Sequence, residues 1–137
     1  LRLLAIVIFS AVLALVPARA EEDAAEKPAD APVFVTLPPI TVPVFEGDEI
    51  ARQASLVLAL ELAKGHTEAD LSPYRARLVD AFIAELADIF ERRSLEDRVI
   101  DPQAIKPRLR ETTARIVGPG LVTDVLIQQA MERARRR

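Results

Sequence analysis

RQASLVLALELAKG, residues 52–65, decides the fold because it reads in two ways. Leu, Ala, Glu and Lys favour helix by intrinsic propensity. The pattern favours a strand. Ala54, Leu56, Leu58, Leu60 and Leu62 are all apolar, whereas the alternate set Gln53, Ser55, Val57, Ala59 and Glu61 includes three polar residues and one small one. A helix would spread Leu56, Val57, Leu58, Leu60 and Leu62 almost round its circumference, which suits only a buried helix. A long strand is therefore expected.

Upstream, VFVTLPPITVPVF (33–45) alternates Val33, Val35 and Leu37 with Phe34 and Thr36, breaks at Pro38-Pro39, and alternates again through Ile40, Val42 and Val44. Two short strands follow from that period of two. Pro43 has no N–H to give a ladder, so the second strand is an edge or carries a bulge there. EGDE at 46–49 has turn chemistry.

Downstream, Ser72-Pro73 reads as an N-cap and first-turn proline opening a helix over 73–92. Its apolar stripe is Leu78, Val79, Phe82, Ile83, Leu86, Ile89 and Phe90, with Arg77, Asp80, Asp88 and Glu91 opposite. Asp101-Pro102 repeats the start signal for a second helix burying Ile105, Leu109 and Ile116, although Pro107 delays the regular helix to Lys106. Gly118-Pro119-Gly120 ends it, with Gly118 suited to the left-handed C′ position. LVTDVLIQQ (121–129) reads as a closing strand; a helix over 123–133 is the alternative. The order β-β-β-α-α-β is an α+β class, two helices on one face of a mostly antiparallel sheet.

The first twenty residues present a choice of their own. Leu3 to Val16 is an uncharged run of fourteen after Arg2, shorter than the about 20 residues a spanning helix needs. Pro17 breaks it, and Ala18 and Ala20 offer the small side chains of a signal-peptidase site, so residues 1–20 read as an export signal cleaved after Ala20. The alternative is an uncleaved short anchor in the inner membrane, recruiting Val16 to Ala20 with Arg19 snorkelling. Either way the chain is exported: free in the periplasm if cleaved, inner-membrane bound if not. Residues 21–32, EEDAAEKPADAP, carry too little apolar surface to offset their ordering entropy and read as a flexible spacer. One domain then occupies 33–129, and 130–137 is a basic tail.

With Arg2 and Arg19 set aside, 16 of the 18 basic residues face 21 acidic ones, a balance that argues against a nucleic-acid binder. Arg133, Arg135, Arg136 and Arg137 are the exception. They read as a solvated tail first, and otherwise as a contact to anionic lipid or an acidic partner. The chain contains no cysteine, so it has neither a disulfide framework nor thiolate chemistry. His66 is the single histidine, placed in a turn, and cannot by itself form a metal set. Ser55, Ser72 and Ser94 lie in no nucleophile elbow, and the four glycines form no phosphate loop. Asp80 with Glu91, and Glu96 with Asp97, lie among arginines as solvated ion pairs. No catalytic residue, cofactor or metal is expected, and binding or assembly is favoured over catalysis.

Taken in order, FVTLPPITVPVF, QASLVLALEL, LVDAFIAEL, IDPQAIKPRLRE and GPGLVTDVLIQ resemble the flagellar basal-body-associated FliL family in a divergent alphaproteobacterial form, from about Val33 to Gln128. The resemblance implies a stomatin-like periplasmic domain and a non-enzymatic motor accessory in motility and chemotaxis. It further implies a homo-oligomer, with contacts to stator or basal-body proteins. Typical members keep the apolar segment as an anchor, and the Ala18-Arg19-Ala20 site departs from that pattern.

Overall fold

The computed structural model describes residues 30–92 and 100–134. Residues 52–62 settle as a strand: β3 runs from Glu49 to Leu62, with Ala54, Leu56, Leu58, Leu60 and Leu62 all buried. Fourteen residues long, it is the centre of the sheet and pairs antiparallel with every other strand.

On one side of β3 lie β1 (Val33–Thr36) and β2 (Ile40–Glu46), end to end. β1 pairs with the far end of β3 (Val35 opposite Leu60) and β2 with the near end (Val42 opposite Ala54). The two are one edge interrupted at Pro38-Pro39, and the Leu37 amide still donates to the Leu58 carbonyl at 2.8 Å across the break. Pro43 is tolerated because β2 is an edge strand, and the register shifts one residue later, between Val44 and Phe45. Gly47, with φ +66°, is the first of two central residues turning β2 into β3, the position a II′ hairpin turn reserves for glycine.

On the other side of β3 lies β4, from Val122 to Ala134. The strand reading prevails over the helical alternative, and the strand extends past Gln129, so residues 130–134 are sheet rather than tail. Pairing accounts for the extension: β3 is long enough to give Met131 a partner in Ser55 and Arg133 a partner in Gln53. Arg52, close to that end, donates from its Nη1 to Glu132 Oε2 at 3.0 Å and ties the two strands together.

The helices cover one face. A short α1 (Glu68–Leu71) and a 3-10 turn (Ser72–Tyr74) lead into α2 (Arg75–Arg92), and α3 (Pro102–Val117) follows. The helical region therefore begins earlier than Ser72-Pro73. Thr67 and Asp70 form a capping box, with the Thr67 amide donating to Asp70 Oδ2 at 2.8 Å. Ser72 follows as the C-cap of α1. α3 likewise starts at Pro102 rather than Lys106, capped by Asp101 accepting from the Gln103 amide at 2.9 Å. Pro107 is accommodated because the carbonyl it leaves without a donor, that of Gln103, belongs to an exposed residue in the first turn, within reach of water.

Leu78, Phe82, Leu86 and Phe90 from α2, and Ile105 and Leu109 from α3, meet the apolar side of the sheet in a single core. Ile83 departs from the expected stripe: it is 41% exposed, on the flank of α2 facing away from the sheet. Gly118 closes α3 with φ +77° and ψ 176°, a positive-φ extended conformation rather than the left-handed helical one, and its amide donates to the Ala114 carbonyl at 3.0 Å. An added Cβ would meet nothing within 4 Å, so Gly118→Ala isolates the backbone penalty. It is expected to lower unfolding free energy by about 1–3 kcal/mol, read as a shift in urea midpoint.

Candidate functional site

The sheet has two unlike faces. The residues of β3 between the core positions, Gln53, Ser55, Val57, Ala59 and Glu61, point away from the helices. Register then assigns this open face residue by residue: Phe34 opposite Glu61, Thr36 opposite Ala59, Thr41 opposite Ser55 and Pro43 opposite Gln53 on one side; Asp124, Leu126, Gln129, Met131 and Arg133 on the other. Three large apolar side chains are left in solvent on β1, β2 and β4, Phe34 at 46%, Phe45 at 51% and Met131 at 40% exposure. Between them the face is mostly small or polar, as in the hydrogen bond from Thr41 Oγ1 to Ser55 Oγ at 3.3 Å.

The predicted site residues fall apart spatially. Arg133 is exposed on β4. Arg135, Arg136 and Arg137, and Ala18 and Ala20 of the cleavage site, lie outside the described residues, as does Ser94. Ser55 is engaged with Thr41. His66 lies beside Asp70, Nδ1 to Oδ2 at 3.6 Å, in the turn between β3 and α1. A cleft of about 550 Å³ opens there, lined among others by Glu61, Lys64, His66 and Thr67, and Lys64 is already bound to Asp30 at 3.0 Å. Lys64 and Asp30 both line the cleft, so that pair is satisfied within it. No group of three or more His, Asp or Glu side chains among the described residues is placed to hold a metal ion. Among the described residues, no helix is long and apolar enough to cross a membrane.

Ion pairs fasten the helical layer. Arg108 of α3 reaches Asp88 of α2 at 2.9 Å, and Asp88 also accepts from Arg92 at 2.9 Å. These two hydrogen bonds, Arg108 first, hold the Asp88 carboxyl below its ordinary range, and Asp88 in turn raises Arg108. The same stretch of α3 also reaches β4, where Asp124 accepts from Lys106 at 2.7 Å and lies 3.4 Å from Arg110. Burial pushes the Asp124 carboxyl up, but the bonds from Lys106 and the Val125 amide, with the nearby charges, outweigh it and its pKa is lowered.

A carboxyl depressed by folding contributes stability in full above its unfolded pKa of about 3.9 and loses it as pH falls through the lower folded value. Melting temperature is therefore expected to stay level from about pH 7 to 5 and to drop below about pH 4. Thermal melts across that range test this, and Asp88→Asn should make the acid limb shallower; an unchanged melt at low pH would contradict the assignment.

No family model matches the chain, and no curated protein matches it.

Sequence reasoning found the strands that build the open face but not the face as a surface. Met131 is far from Phe34 and Phe45 in the chain, and only the register with β3 sets all three on one sheet. The alternation in residues 52–62 was the signal that such a face exists.

Proposed function

We propose that this chain is a non-enzymatic accessory protein of the cell envelope that acts by self-association and by contact with flagellar motor stator units, in motility and chemotaxis. The observation that carries the reading is the sheet face opposite the helices, which leaves Phe34, Phe45 and Met131 in solvent. A surface of that kind fits assembly better than small-molecule chemistry. The motor assignment draws on the ordered resemblance of residues 33–128 to the FliL family. Export rests on residues 1–20, with Ala18 and Ala20 as the cleavage site, and delivers the domain to the periplasm or holds it at the inner membrane.

Deletion of the gene in a flagellated source cell, scored by spreading in soft agar, tests the role in the cell. Impaired spreading, restored by the full chain, is expected. Normal spreading together with a strictly monomeric protein would overturn the proposal. A second reading, a soluble periplasmic binding or adaptor module unrelated to flagella, is favoured by the cleft beside His66, whose volume lies within the range of ligand pockets. It predicts a rise in melting temperature with small metabolites, since a ligand selective for the native state stabilises it.

A further inference from the structure

The two edges of the sheet are built differently. The β1–β2 edge is broken at Pro38-Pro39, and Pro43 removes a further donor, so it is poorly suited to receive another strand. β4 is thirteen residues long, and among the described residues it pairs only with β3. Its start is closed, because the Val125 amide donates to the Asp124 carboxylate at 2.9 Å. From Leu126 to Met131 the strand carries no charge and no proline. An edge stretch without charge or proline is open to strand addition.

We infer that the partner on this edge is a second copy of the chain, paired antiparallel through β4. This rests on the self-association half of the proposed function and not on the stator contact. A two-fold axis perpendicular to the sheet makes the two edge strands antiparallel and keeps every side chain on the face it already occupies. In a regular strand, residues of opposite parity lie on opposite faces. β4 is not regular: Leu58 pairs with Ile127 and Val57 with Gln129, so Gln128 is an extra residue at a bulge.

The bulge puts Leu126, before it, and Met131, after it, on the same open face, opposite Ala59 and Ser55. Ile127 and Ala130 share the core face, opposite Leu58 and Leu56. A dimer centred between Gln128 and Gln129 therefore sets Leu126 against the second copy's Met131, Ile127 against Ala130, and Gln128 against Gln129. Apolar faces apolar and amide faces amide. Sliding the pairing by one repeat sets Leu126 against Arg133 or against Gln129, which breaks that match. The next pairs outward set Val125 against Glu132, which Arg52 already holds, and Arg133 beside Asp124, which Lys106 and Arg110 already neutralise, so the register is set by the central residues. The pairing makes one continuous sheet with an open face on each half.

The chain has no cysteine, so introduced thiols report on the pairing without interference. The full chain carrying both Leu126→Cys and Met131→Cys is oxidised at a protein concentration of tens of micromolar and run on a non-reducing gel. Residues 126 and 131 of one strand are roughly 15 Å apart, too far for a bridge within a chain, which needs Cα atoms within about 7 Å. A disulfide dimer that requires both cysteines is expected; each single variant should give at least about tenfold less. Met131→Lys, a change at an exposed side chain, should abolish the dimer in light scattering while leaving the circular dichroism spectrum unchanged. An oligomer by light scattering without the cross-link would overturn edge pairing and leave self-association standing. A monomer at every concentration would overturn both.

Discussion

Replacing Phe82 with alanine is expected to lower the unfolding free energy by about 3–5 kcal/mol, the largest single-residue effect in the molecule. Phe82 is fully buried at the middle of α2, within the cluster formed by Leu78, Leu86, Leu109 and the apolar side of the sheet. The loss combines the transfer free energy of the ring with the cavity it leaves, since the neighbouring strand backbone cannot collapse far into the gap. Domains of this size have about 5–15 kcal/mol in total, so the variant should be partly unfolded at physiological temperature. Urea titration followed by circular dichroism gives the value. Ile83→Ala on the exposed flank of the same helix is the control and should stay within about 1 kcal/mol of the parent.

The second large effect comes from the strand at the centre of the sheet. Leu58→Ala is expected to cost about 2–5 kcal/mol, because the side chain is fully buried between sheet and helices. Val57→Ala, one residue away and pointing to the open face, should cost roughly 1 kcal/mol, the range of a cross-strand packing term. A helix at residues 52–65 would bury both and give two large values. The ratio of the two losses therefore tests the reading on which the architecture depends.

How far the architecture could be read before the structure depended on the kind of signal. Residues 52–62 gave up their strand through alternation, in spite of residue types that favour helix, because burial against one face is a stronger term than propensity. The helical stripe of α2 was legible for the same reason, with Ile83 as the exception where the stripe is wider than the contact. What failed was local and at the ends. Thr67 to Asp70 carries a capping box that opens the helical region, yet Ser72-Pro73 offers the more conspicuous signal. The last residues of β4, Ala130 to Ala134, look like a basic tail because their strand character comes from pairing with Arg52 to Leu56 far away in sequence.

The candidate surface was less legible than the fold. Its apolar members are separated by the whole length of the domain, and the bulge at Gln128 that aligns Leu126 with Met131 leaves no mark in composition. Chemistry-bearing residues were easy to enumerate, since the chain has one histidine and no cysteine. Their environments, His66 beside Asp70 and Ser55 bound to Thr41, required coordinates.

Self-association is the central claim, and the mass of the full chain in solution tests it most directly. The protein is purified from whichever fraction of the producing cell it accumulates in and measured by light scattering over roughly 1–100 µM, the range in which a modest interface forms. The account predicts an average mass that rises with concentration beyond that of one chain. A mass equal to a single chain throughout would contradict it.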